Sequence, residues 1–135
     1  MNSIFVTDYF VIPPNLSGKE ILRIAETICE SGKKVVLNSV PPQKIRRKLL
    51  HYVSVAIFDE QQISELTKVA IRDIASAKTA ALKLYGRGAE TVMIKMQTGK
   101  VLVFADEVFS FVDSLEQDFA LVVGEKKLYD LMKPF

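Results

Sequence analysis

The stretch IASAKTAALKLYGRGAETVMIKMQTGKVLVFA, residues 74–105, decides the fold. Ile74, Ala77, Ala81 and Leu84 recur at helical spacing and give one apolar face. Ala, Leu and Lys dominate this part and all favour helix. Gly86 and Gly88 are expected to supply the positive φ that ends it. Thr91-Val92-Met93-Ile94 is a short apolar run rich in β-branched residues, as a strand covered on both faces requires. Gln97-Thr98-Gly99-Lys100 reads as a turn, and Val101-Leu102-Val103-Phe104 returns as a second strand. A helix packed back onto a buried strand is half of a βαβ unit.

Upstream, the chain repeats that grammar. Residues 3–12 (SIFVTDYFVI) are β-rich and stop at Pro13-Pro14, which cannot continue a ladder. Ser17 with Glu20 predicts a capping box. Ile21, Ile24, Ala25 and Ile28 form the stripe of a helix closed by Gly32, and Cys29 is expected on its apolar side as an inert buried thiol. Residues 34–37 are the next strand, parallel to the first. Asn38 then stands at a strand's carboxyl end, where open α/β sheets bind ligands; an Asn bonding its own turn reads equally well there. Residues 43–50 predict a basic helix in which Lys44, Arg46, Arg47 and Lys48 form a solvated face. Residues 53–58 (VSVAIF) predict a third buried strand. Asp59-Glu60-Gln61-Gln62 follows, suited either to Mg²⁺ or to capping the next helix. Asp106-Glu107 predicts a turn into a further strand, residues 108–112. Ser114 would cap a last helix, interrupted at Gly124.

Composition bounds the function. The 135 residues suit one domain. With 49% hydrophobic and 25% charged residues, a core forms without disulfides, and Cys29 has no cysteine to pair with. A net charge of +2 is too small to imply nucleic acid or an anionic membrane on its own, and neither is expected as a partner. No apolar run reaches the roughly 20 residues of a membrane span, and no secretory signal is read at the start, so cytoplasm is the expected address. His51, the one histidine, has no ligand-spaced partners.

VVLNSVP, then VSVAIFDEQQISELT, then AALKLYGRGAETVMIKMQTGKVLVF, then FVDS resemble the successive signposts of the ribokinase-like (PfkB) carbohydrate kinases. The resemblance runs from Tyr9 to Ser114. It implies a three-layer α/β/α fold, with a mostly parallel, Rossmann-like sheet, an antiparallel hairpin near its C-terminal end, and an ATP site at the strand ends. The chain would correspond to the central to C-terminal part of that fold. Carried over residue by residue, the site comprises Asn38, Asp59, Gln62, Lys95, Gln97, Thr98 and Gly99, with Asp59 toward Mg²⁺ and Asp118 as the catalytic Asp.

The chain also departs from the family pattern. The family's Asn-x-x-Glu reads Asp59-Glu60-Gln61-Gln62, so the last carboxylate is an amide. The Thr-Leu-Gly loop reads Lys95-Met96-Gln97, with Gly99 shifted. The Gly-Ala-Gly-Asp anion hole reads Leu115-Glu116-Gln117-Asp118, which sets Glu116 where a phosphate must sit. The resemblance with these departures implies a shortened, degenerate relative: a nucleotide-binding or assembly module without kinase activity of its own. The alternative is an ATP-dependent carbohydrate or nucleoside kinase active only as an oligomer or with a partner chain. A sheet edge left uncovered by a missing half predicts a homo-oligomer.

Overall fold

The computed structural model describes residues 9–113. They form strands β1 (Tyr9–Ile12), β2 (Lys34–Asn38), β3 (Val55–Asp59), β4 (Thr91–Lys95), β5 (Val101–Ala105) and β6 (Val108–Val112), and helices α1 (Gly18–Glu30), α2 (Glu60–Thr67) and α3 (Ile74–Gly86). One six-stranded sheet has the order β1-β2-β3-β4-β5-β6. β1 to β4 are parallel, and β5 and β6 run antiparallel. The mostly parallel α/β sheet with a closing hairpin therefore stands. The segments expected after residue 113, Asp118 and Glu116 included, lie outside the described residues.

The strands are apolar on both faces because both faces are buried. On one face Val35, Leu37, Ala56, Phe58, Val92, Ile94 and Leu102 meet Ile21, Ala25, Ile63, Ala77, Ala81 and Leu84 from the three helices. On the other, Val36, Val55, Ile57, Met93, Val101 and Val103 form a second buried cluster. Each helix starts on a capping box. Ser17 Oγ accepts from Glu20 N at 3.1 Å, Asp59 Oδ1 from Gln62 N at 2.7 Å, and Asp73 Oδ1 from Ser76 N at 2.8 Å. These bonds satisfy donors that a helix start otherwise leaves bare. Bonding to the Ser17 backbone and hydroxyl holds the Glu20 carboxyl below its usual range, and Ser76 does the same to Asp73.

Four local expectations change. The basic helix is instead two short 3₁₀ turns, Pro42–Lys44 and Leu49–Tyr52. Between them Ile45 is extended, with φ −93° and ψ 101°, so no continuous helix runs through the segment, and Leu49 and Leu50 are both buried. Cys29 is exposed: it sits one residue past the stripe Ile21, Ala25, Ile28, and so points off it. Ile74 is 49% exposed, because it opens α3 ahead of the buried Ala77. Gly86 is still helical, and the positive φ, 124°, falls at Gly88. A Cβ there would meet Leu50 O at 2.8 Å, so Gly88 lets the Leu49–Tyr52 turn press on the α3–β4 connection.

Candidate nucleotide site at the strand ends

The carboxyl ends of β2, β3 and β4 are in register: Asn38 pairs with Ile57 and Asp59 with Lys95. Side chains leaving these ends meet one another. Lys95 Nζ donates to Ser39 Oγ at 2.8 Å, and Ser39 Oγ donates to Asn38 Oδ1 at 3.3 Å. Gln62 Nε2 donates to Ser39 O at 3.2 Å, while Gln62 Oε1 accepts from Asp59 N at 3.0 Å. Glu60 Oε2 accepts from Gln97 N at 2.9 Å. Four of the seven strand-end positions expected from sequence, Asn38, Asp59, Gln62 and Lys95, thus belong to one hydrogen-bonded cluster beside the first turn of α2, and Gln97 is bonded separately to Glu60 of that turn.

Two residues beyond the seven take part in these bonds, Ser39 and Glu60. Ser39 links three of the others, and its φ of 60° puts a non-glycine residue in the left-handed region, a strain that concentrates at functional positions. Glu60 lies in the acidic run suited by sequence to Mg²⁺ or to capping, and here it bonds Gln97 N. Neither the Ser39 conformation nor the reach of Glu60 across to Gln97 has a local sequence signal.

Thr98 and Gly99 sit in the β4–β5 turn. Thr98 Oγ1 accepts from Lys100 N at 3.5 Å, at the limit of a hydrogen bond. Gly99 has φ 96°, and a Cβ on it would meet nothing within 4 Å. Glycine serves the turn conformation there, and no close approach requires it. Next to this turn, Lys100 and Asp113 form an exposed ion pair at 2.8 Å. The Lys100 hydrogen bond lowers the Asp113 carboxyl below its usual range.

Gln62 shows what the change from carboxylate to amide does. Its NH₂ group donates to Ser39 O, and a Glu there has no donor when ionised. The position that the resemblance assigns to Mg²⁺ and phosphate therefore ties the β2 and β3 ends together. Among the described residues no group of three or more His, Cys, Asp or Glu side chains is placed to hold a metal. Mg²⁺ commonly takes only one or two protein carboxylates and completes its shell with phosphates and water. Asp59 and Glu60, side by side at the cluster, fit that lighter requirement.

No family model matches the chain. Over 88 residues it is 36% identical to ribokinase of Haemophilus influenzae, which covers 65% of this chain and 28% of the relative. An Arabidopsis thaliana ribokinase complexed with ribose and ATP superposes with a TM-score of 0.68 over 96% of this chain and 48% of that one, at 15% identity. An ADP complex of Bacillus subtilis pyridoxal kinase gives 0.67 over 79% and 46%, at 23% identity. The chain thus spans less than half of each of these relatives, and at such identities the superpositions speak for the fold. No helix among the described residues is long and apolar enough to cross a membrane. The shared sheet gives this chain the ribokinase-like fold, and the match to a ribokinase together with the ordered sequence signposts makes it similar to a portion of the ribokinase-like (PfkB) family.

Proposed function

We propose that this chain is a nucleotide-binding member of the ribokinase-like family that does not phosphorylate sugars by itself. The observation that carries the reading is the convergence of Lys95, Ser39, Asn38, Gln62 and Asp59 at the carboxyl ends of three parallel strands, where open α/β sheets take ligands. The Lys95 ammonium is the group for a phosphate. Its partner is a neutral hydroxyl, so an incoming anion does not have to displace a carboxylate. Asp59 and Glu60 would hold a Mg²⁺ ion, which supplies charge neutralisation between the phosphates. Two relatives of this fold are complexes with ATP and ADP respectively.

Lack of phosphotransfer is argued from sequence. Phosphoryl transfer depends on positioning and charge stabilisation. Where the family has a glycine-rich anion hole, this chain has Leu115-Glu116-Gln117 before Asp118. A general base alone contributes about 10² to 10⁴ in rate. The test is a coupled ADP-release assay over a panel of sugars and nucleosides, with Asp118→Asn as control. No turnover above background is expected, and turnover abolished by Asp118→Asn restores the kinase reading, active in an oligomer or with a partner chain.

Self-association is part of the proposal. β6 pairs with β5 alone among the described strands, and Val108 (62%) and Phe111 (42%) on it are exposed. An exposed apolar edge strand favours pairing with a second copy.

A further inference from the structure

We infer a second ligand site, for a small organic anion such as a phosphate monoester with an apolar body, at the other end of α2. A cavity of about 280 Å³ lies between Ile45, Arg46, Arg47, Leu50, Leu66 and Arg87. That is near the lower limit of small-molecule pockets, roughly 300 Å³. It holds one small ligand and is short for a peptide. Leu66 is in the last turn of α2, and the strand-end cluster is on its first. An eight-residue helix separates them by about 12 Å.

The lining has two characters. Ile45, Leu50 and Leu66 belong to or pack on the main core and give an apolar floor. Arg46, Arg47 and Arg87 are exposed and give three guanidiniums, with no acidic residue among the six. Guanidinium is the side chain suited to two-point binding of phosphate and carboxylate.

The walls are fixed. Arg87 Nη1 donates to Leu66 O at 3.0 Å, which holds that side chain across the end of α2 and leaves other N–H groups to donate. The close approach at Gly88 sets Leu50 against the start of the segment that carries Arg87. Lys44 Nζ anchors the basic loop to Pro14 O at 2.8 Å. At Gly18 a Cβ would meet Lys44 O at 2.8 Å and Arg46 Nε at 3.3 Å, so α1 starts tightly against that loop. Simple solvation of a charged face accounts for exposed arginines. It gives no reason for three of them to ring an apolar cavity.

The test uses the full chain, with calorimetric titration of 1-naphthyl phosphate. Saturable 1:1 binding is expected. It weakens about tenfold or more in an Arg46→Gln/Arg47→Gln double variant, the loss expected when charged hydrogen bonds are removed. It is unchanged by Lys95→Ala, and tighter than binding of either 1-naphthol or inorganic phosphate. Amide chemical shifts on titrating the unaltered chain give a second reading that needs no variant, with movement expected at Leu50, Leu66 and Arg87. Absence of saturable binding, equal affinity in a folded double variant, loss on Lys95→Ala, or shifts confined to Ser39, Lys95 and Gln97 would each overturn the site. Failure here leaves the strand-end proposal standing, since that rests on Lys95.

Discussion

β3 and β6 are both five-residue strands carrying two or more large apolar side chains, VAIFD and VFSFV. The first four residues of β3 are buried, whereas in β6 none is. β3 has β2 and β4 on either side and helices over one face; β6 has β5 alone among the described strands. Neighbours, not apolar content, separate a core strand from an edge strand. The difference reaches function as well. β3 ends in Asp59, which caps α2 and belongs to the strand-end cluster, so the candidate site stands on a buried strand paired on both sides. β6 leaves Val108 and Phe111 exposed.

The sharpest way to break this contrast is Phe58→Ala. Phe58 is fully buried, so its loss should cost about 3–5 kcal/mol and unfold much of the chain, read by urea denaturation. The mirror change on the edge, Phe111→Ser, should shift monomer stability by only about 0.5 kcal/mol or less, and should instead weaken self-association in sedimentation. A loss above about 2 kcal/mol at Phe111 would show that β6 is core.

Intermediate effects come from the caps. Asp59→Ala removes the box on α2 and should cost about 1 kcal/mol, together with any Mg²⁺-dependent nucleotide binding. The Glu20 and Asp73 carboxyls are held down in the folded chain by their capping bonds. Their contribution is therefore present above the ordinary carboxylate range and is lost as pH falls through about 4 and below. Thermal midpoints should drop over that window, and the drop should be shallower in Asp73→Asn, whose side chain still caps but does not titrate. A smaller gain is expected in the β5–β6 turn, where Asp106 and Glu107 have φ of 53° and 64°. This is the two-residue geometry that Gly favours at the second position, so Glu107→Gly should stabilise by about 0.5–1 kcal/mol, measured as a raised urea midpoint.

Much of the sheet was legible because parallel strands announce themselves as apolar runs between capped helices. VVL, VAIF and VMI are short continuous apolar runs, and Gly32, Asn38, Asp59 and Gly88 near their ends left little choice of period. The 3₁₀ turns at Pro42–Lys44 and Leu49–Tyr52 were not legible, since Lys and Arg favour helix and the extended backbone at Ile45 that separates the turns has no local signal. The side chains of Asn38, Asp59, Gln62 and Lys95 could be placed at strand ends. Ser39 could not be seen to join them, because its left-handed backbone goes with a long-range bond, its amide donating to Ile57 O at 2.8 Å. Gly99 was misleading for a related reason: a glycine needed by a hairpin turn and one needed beside a nucleotide look alike in sequence.

The central claim is that Lys95, held by Ser39 at the carboxyl ends of the parallel strands, receives a nucleotide phosphate. Calorimetric titration of ATP with Mg²⁺ into the full chain and into Lys95→Ala tests it most directly. The account predicts saturable binding that weakens at least about tenfold in the variant, the loss of one charged hydrogen bond, with the thermal midpoint little changed. Absence of ATP binding, or equal affinity in the two proteins, would contradict it.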